Sequence, residues 1–423
     1  MTLTSIIFAA FLLLRLPIAL VLGIASVVYL YTTGNEILSV TLPQRLFSGL
    51  ENYGLLAIPL FMMAGEIMNT GGITTRLVAF CRAVVGHYRG GLAYVNILTN
   101  MLLASIIGSA TAQIAMMSKT IVPAMEKEGY SKSFSSATTA AGGIVGPIIP
   151  PSTVFIIYAI SASVSIGDMF MAGILPGVLL GLGYILLIAF IGWKQQLPAS
   201  EKVGLVHMLK QFFRVLPALS VPIIIIAGIL TGAFSPTESA AIACVIGFIV
   251  GAFIYREIKW KNVPKILINT CITTATITML IAMANLFGMV LTFEQLPQTI
   301  AQWITSLTDN PVIFLLIVNV FLLIVGMFLD GIAALIILVP IFMPIIASYG
   351  IDPVHFGIII CLNTTIGLLT PPVGAGLYIA SAAGNIKLES LIRAIIPFVI
   401  VSIIVLFVVS LVPAISLWIP GLM

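Results

Sequence analysis

Few residues in this 423-residue chain could do chemistry, and most fall in two segments of one pattern. Gly146-Pro-Ile-Ile-Pro-Pro-Ser152 and Gly367-Leu-Leu-Thr-Pro-Pro-Val373 each set a glycine and a double proline inside an apolar run. Proline removes a backbone donor and clashes with the preceding turn, so a helix must break within both 133–162 and 355–384. A break frees carbonyl oxygens, which suit a cation such as Na⁺. It also frees N–H groups at the next helix start, which suit a carboxylate. At bilayer depth such groups are tolerated only where protein, water or a bound ion satisfies them. Two other segments offer the same groups, Ile107-Gly-Ser-Ala-Thr-Ala-Gln113 and Gly326-Met-Phe-Leu-Asp-Gly331. The second holds Asp330 in the middle of an apolar stretch, where an ionised carboxylate costs roughly 2.5–3.5 kcal/mol or more. A functional role is the default for such a group; a helix cap is the structural alternative, and the two are compatible. The chemistry indicated is a pair of cation sites, each between a tip and a break, with a solute between them.

Each of these features also has a plainer reading. A single Gly-Pro break can be a packing kink. A lone Ser or Thr in a membrane helix, such as Ser105 or Thr139, usually bonds back to a carbonyl one turn earlier. The Gly177–Gly181 and Gly247–Gly251 pairs read as sites of close helix packing. Glu66 and Lys119 lie within or near apolar segments, and Lys119 is expected to snorkel. The pairing argues for function. Pro123, Gly129, Gly146, Pro150 and Pro151 align without a gap, at an offset of 221, with Pro344, Gly350, Gly367, Pro371 and Pro372.

The elements that must position these groups follow from composition. The chain is 60% hydrophobic and 8% charged, with a mean hydropathy of +1.21. A soluble domain carries about 25% charged residues, so no water-facing surface can be built here. An all-α polytopic membrane protein is expected, because the apolar runs are 17–25 residues long rather than ten-residue alternations. Simple spans are expected at 53–69, 168–192, 237–255 and 394–418. The run 311–346 is too long for one: 36 residues at ~1.5 Å each would reach ~54 Å, against a hydrocarbon core of about 30 Å. It and 91–125 are expected to turn back as re-entrant hairpins. Residues 1–31 fit one long helix or two short ones, with Arg15-Leu16-Pro17 at the break. Residues 35–50 suit an interfacial position. The apolar start shows no small-residue cleavage site and is expected to remain as a membrane segment.

Charge placement supports the hairpins independently. With each hairpin entering and leaving on one face, 15 of the 18 basic residues fall on a single side, which the positive-inside rule makes cytoplasmic. The other side keeps only Arg45, with Glu36, Glu51, Asp168, Glu238, Glu294, Asp309 and Asp352. The first hairpin then opens to the cytoplasm and the second to the outside, so the two copies of the pattern lie upside down to each other. Inverted repeats with broken helices at the midplane are the architecture of secondary transporters.

Several classes are disfavoured. No G-x-x-x-x-G-K-[ST] is present, and His87, His207 and His355 form no H-E-x-x-H. G-x-S-x-G is missing. A net charge of +4, scattered along the chain, does not fit a nucleic-acid binder. Cys81, Cys244, Cys271 and Cys361 form no C-x-x-C and read as small buried hydrophobes.

Over nearly its full length the chain resembles the large membrane subunit (M subunit, DctM type) of TRAP transporters. The resemblance rests on Gly142-Gly-Ile-Val-Gly-Pro-Ile-Ile-Pro-Pro-Ser152, Ser235-Pro-Thr-Glu-Ser-Ala-Ala241 and the second Gly367…Pro372 copy. It implies an ATP-independent, Na⁺-coupled permease of the bacterial inner membrane. A periplasmic substrate-binding protein (P) delivers an organic acid of the sialic acid or C4-dicarboxylate class. A small membrane subunit (Q) completes the permease, here expected as a separate chain. It implies an elevator mechanism, with scaffold helices in 1–90 and 166–310 and a C-terminal helix in 387–423. The moving domain would be built from 91–165 and 311–386, each a hairpin plus a broken helix. By position, a first Na⁺ site is expected from Ser105, Gly108, Gly143 and Gly146. A second is expected from Gly326, Asp330, Gly367 and Thr370. Ser109, Thr111, Ser152 and Asp330 are the candidates nearest the substrate. A passive anion or solute channel and a non-transporting assembly subunit are the alternatives.

Overall fold

The computed structural model describes residues 2–14, 16–34, 40–200 and 202–422. Arg15 and Glu36, used above for the N-terminal break and the outer acids, lie outside them. Every regular element among the described residues is helical, as a chain without water at its backbone requires.

The N-terminal stretch is two helices, α1 (Thr2–Leu13) and α2 (Ile18–Thr32), with Pro17 at the cap position of the second. The short α3 (Leu42–Ser48) follows. The chain then bends by 63° through a 3₁₀ turn at Tyr53–Leu56 into α4 (Ala57–Thr70). Next comes α5 (Ile73–Val85), whose Arg76 and Arg82 pair with Glu257 and Glu128.

The 91–125 stretch divides into α6 (Gly91–Ile107), α7 (Ala110–Thr120) and the start of α8 (Val122–Lys127). It breaks where Gly108 adopts φ +60°, a left-handed conformation costly for any residue with a Cβ. Nine residues of turn then separate α9 (Lys132–Gly143) from α10 (Thr153–Ala162). The middle of the chain holds α11 (Ile166–Gln195), α12 (Leu205–Leu230), α13 (Pro236–Ile249), α14 (Val263–Phe293) and α15 (Leu296–Leu307). The 311–346 stretch divides into α16 (Pro311–Phe328) and α17 (Gly331–Ser348). A second interrupted helix follows as α18 (Pro353–Gly367) and α19 (Ala375–Gly384), then α20 (Leu388–Leu411) and α21 (Ala414–Leu417).

Several boundaries differ from the sequence reading, among them the α-helical part of the 237–255 span, which ends at Ile249 and continues as a π turn over Val250–Ile254. The span expected at 394–418 runs from Leu388 to Leu411, because Pro413 cannot continue it and the polar turn 388–393 joins it instead. Lys210 and Arg214, assigned to a cytoplasmic connection, lie on the first turns of α12. Seven helices among the described residues are long and apolar enough to cross a membrane, or eight with the bent α3–α4 pair.

Five helices of the first half begin within one residue of 221 positions before five of the second. They are α6 and α16, α7 and α17, α9 and α18, α10 and α19, and α11 and α20. The Pro150-Pro151 and Pro371-Pro372 bonds are both cis. Packing follows the same correspondence. The helices α6 and α7 lie on α9, as α16 and α17 lie on α18. Across the halves, α7 packs on α19 and α10 packs on α17. Tyr158 of α10 reaches the other half directly, its hydroxyl donating to the Pro353 carbonyl at 2.5 Å. Around this interlocked centre, α2, α3, α4 and α13 pack with α14 or with one another, and α12 joins α5 to α13.

Candidate functional site

The two breaks and the two tips meet. At the first, the Gly108 carbonyl accepts from Thr153 Oγ1 at 3.2 Å. A Cβ on Gly108 would lie 3.3 Å from the Pro151 carbonyl oxygen, so the tip is seated on the strand of turn between α9 and α10. Gly143 faces Ile114 and Gly146 faces the Gln113 side chain, both on α7. Ser105, Gly108, Gly143 and Gly146 are therefore brought to one locality, all buried. At the second, Gly326 and Gly367 touch backbone to backbone: a Cβ on Gly326 would lie 3.1 Å from Gly367 Cα. The Gly374 N–H donates to the Met327 carbonyl at 3.1 Å, tying the end of α16 to the start of α19.

The predicted hydroxyls are mostly engaged locally. Ser105 Oγ donates to Leu102 O at 2.9 Å, and Thr370 Oγ1 donates to Ile366 O at 3.0 Å. Ser152 is 1% exposed; its hydroxyl donates to Pro147 O at 2.6 Å and accepts from Phe155 N, capping α10. Ser109 Oγ lies 3.2 Å from Thr111 Oγ1 and caps α7. Asp330 caps α17, its Oδ2 accepting from Ile332 N at 3.3 Å, and is exposed on the bundle surface. Hydroxyl oxygens that donate to carbonyls keep lone pairs, so these contacts orient Ser105 and Thr370 without exhausting them as acceptors.

Sequence reading missed the amides. Asn100 donates to Asn96 O and Oδ1, both at 2.9 Å, and Gln113 donates to Asn100 O. Asn363 donates to Asn319 Oδ1 at 2.7 Å and to Ile359 O at 2.9 Å. The amide nitrogens are thus used, while Asn100 Oδ1, Gln113 Oε1 and Asn363 Oδ1 are buried acceptors without a hydrogen-bond partner. Such an orphaned oxygen costs about 1–3 kcal/mol. A Cβ on Gly146 would meet Gln113 Oε1 first, and the Asn363 backbone carbonyl, not its side-chain amide, lies 3.4 Å from a Cβ on Gly326. Among the described residues no group of three His, Cys, Asp or Glu could hold a metal. Asp330 apart, the donor set is one of neutral oxygens, which suits a weakly held alkali cation rather than zinc or a redox metal. The signal that could have found these residues was an amide inside an apolar window, where its burial demands a partner.

The first tip also borders a cleft of about 160 Å³. Ser109 lines it together with Glu66 and Asn69 of α4 and Asn269 of α14, and Asn269 donates to Glu66 at 2.7 Å.

The profile of the family described as "Tripartite ATP-independent periplasmic transporter, DctM component" matches residues 5–415. The C4-dicarboxylate TRAP transporter large permease protein DctM of Pseudomonas aeruginosa is 42% identical over 89% of this chain and 88% of its own length. The sialic acid TRAP transporter large permease protein SiaM of Vibrio cholerae is 36% identical over 90% and 89%. The isethionate TRAP transporter permease protein DctMQ of Oleidesulfovibrio alaskensis is 38% identical over 98% of this chain but only 65% of its own. Among solved structures, the Alcanivorax borkumensis YdaH transporter aligns with a TM-score of 0.64 at 17% identity, covering 99% of this chain and 98% of that one, a likeness of fold alone. With a family match from end to end and a fold of apolar helices, this chain belongs to the DctM family of TRAP transporter large permeases, a multi-pass protein of the bacterial inner membrane and not an enzyme.

Proposed function

We propose that this permease imports an organic acid, of the C4-dicarboxylate or sialic acid class, by Na⁺-coupled secondary active transport. The observation that carries the reading is the recurrence of one device, a tip seated on a break, once in each half, with the orphaned Gln113 amide oxygen beside the first and the Asn363 backbone carbonyl beside the second. Residues 91–165 and 311–386 form an inverted repeat whose tips and breaks hold Na⁺ and the acid near the midplane. The acid is held by Ser109, Thr111, Ser152 and Asp330. Ser105, Gly108, Gly143 and Gly146 hold one ion, with Asn100 and Gln113 added to the set. Gly326, Asp330, Gly367 and Thr370 hold another, with Asn363 added. Na⁺ supplies charge for the arriving carboxylate; the chain's part is to supply oxygens and to keep water out. This unit moves as an elevator against helices of 1–90 and 166–310, and the Ser109–Glu66 cleft lies on that sliding surface. A periplasmic binding protein delivers the acid, and a separate small membrane subunit completes the permease.

The test is uptake into proteoliposomes that carry all three components. An inward Na⁺ gradient should drive accumulation of the acid above its external concentration, and leaving out the small subunit should reduce uptake to background. Equilibration without accumulation, indifferent to Na⁺, would indicate a passive channel instead. In the same assay Ser109→Ala should cut the rate about tenfold, the effect of one lost hydrogen bond to a charged ligand. Ser220→Ala, whose hydroxyl serves only the Pro217 carbonyl on α12, should leave it within twofold; equal effects would dissolve the assignment of Ser109.

A further inference from the structure

Arg45 is the one basic residue that charge placement leaves on the outer face. It lines a cavity of about 570 Å³, between α3, α10, α14 and α17. Volumes of about 300–1,000 Å³ are typical of small-molecule sites. Ser161, Asn285 and Thr292 share its wall, and Ile336 and Pro340 of α17 form an apolar side. Arg45 is exposed, and among the described residues no carboxylate lies within salt-bridge distance of it. Ser161 and Asn285 have no side-chain partner there either, and Thr292 donates to Gly288 O at 2.8 Å while keeping acceptor capacity. The cavity therefore offers one free guanidinium, one free amide and two hydroxyls above an aliphatic floor.

We infer that this cavity is an outer carboxylate-binding subsite, in which Arg45 takes the acid before it reaches the midplane; the inference rests on the transport reading above. An arriving anion meets a face otherwise carrying Glu51, Asp168, Glu238, Glu294, Asp309 and Asp352. Charges more than about 8 Å away are screened at physiological salt, so the fifteen bases on the opposite side cannot offset those acids. A single arginine at the cavity wall can, and its planar fork matches a carboxylate with two parallel hydrogen bonds. The walls come from both α14, placed in the scaffold, and α10 and α17, placed in the moving unit, so occupancy and movement are coupled at this spot. Arg45 here positions the acid and takes no part in holding Na⁺.

The experiment is concentration-dependent uptake of labelled succinate and N-acetylneuraminate by the complete three-component system, in neutral-lipid vesicles and in vesicles containing anionic lipid. Arg45→Gln should raise KM about tenfold, the factor expected for a lost charge-assisted hydrogen bond, with the maximal rate within twofold. Arg45→Lys should recover part of the loss. Thr292→Glu, which sets a carboxylate in the same cavity, should raise KM in the same direction. Raising ionic strength should raise KM of the wild type more than of Arg45→Gln. An unchanged KM in Arg45→Gln, or a change seen only with anionic lipid, overturns the subsite, the latter assigning Arg45 to a lipid headgroup. Wild-type vesicles that take up neither these acids nor any acid stabilising the binding protein would overturn the transport reading itself, and the subsite with it.

Discussion

Asp330→Ala is expected to abolish Na⁺-dependent uptake while the protein still reaches the membrane in normal amount. The magnitudes favour this over a purely structural role. An ionised carboxylate at bilayer depth costs roughly 2.5–3.5 kcal/mol or more. A helix cap returns about 1 kcal/mol, and this one is long, at 3.3 Å to the Ile332 N–H, beyond the usual range for a firm hydrogen bond. The cap does not balance that cost, and the carboxylate, open at the bundle surface, is free to take a cation beside the second tip, which would balance it directly. Asp330→Ser separates the two roles, because serine caps as well as aspartate but carries no charge. It should lose uptake as completely as Asp330→Ala. Uptake at the wild-type level with unchanged Na⁺ dependence, in either variant, would remove Asp330 from the mechanism.

Gly367→Ala is expected to cost more than tenfold in uptake and to lower the thermal midpoint of the purified protein. The new Cβ would lie 2.5 Å from Gly326 Cα, a backbone atom that no side-chain rotation can clear. Overpacking of this kind costs about 1–3 kcal/mol, and here it forces the second tip away from the second break. Gly146→Ala should be gentler in stability, because its Cβ meets the end of the Gln113 side chain. That amide can swing aside, at the expense of its hydrogen bond to Asn100. Gly204→Ala, with no atom near the added carbon, should match the wild type in both measurements. If Gly367→Ala transports and melts as Gly204→Ala does, the close seating of tip on break has no bearing on transport.

What could be read from the sequence was what acts locally. Gly108 and Ser109, Asp330, and the Gly146–Pro151 and Gly367–Pro372 segments interrupt helices through φ, capping and missing N–H groups, all set within a turn of the residue itself. Ser235 and Glu238, recognisable as a helix start, form a full capping box at α13. What could not be read was which side chains the breaks bring together. Asn100, Gln113 and Asn363 sit on helices and look like any helical amide; their burial, which leaves their oxygens without partners, comes from the packing of α6 and α7 on α9 and of α16 on α18. The reverse holds for Ser152, whose hydroxyl turns to Pro147 O five residues back, a bond made by the turn itself. Thr153, one residue on, reaches the first tip instead. The end of α20 was missed because apolar residues continue past Pro413, and hydropathy does not register a lost N–H.

The crossed packing of α7 on α19 and α10 on α17 has a consequence for how the protein is made. The helices α7 and α10 each wait for a partner well downstream: Ala375 begins α19 some 265 residues after Ala110 begins α7. At about 5–20 residues per second, ribosomal synthesis leaves that face uncovered for roughly 13–53 seconds. Through that interval the faces of α7 and α10 that pack on α19 and α17 lack their partners. Insertion therefore has to proceed through a state in which half a core is finished, and the quality-control machinery of the membrane meets that state in every copy of the chain.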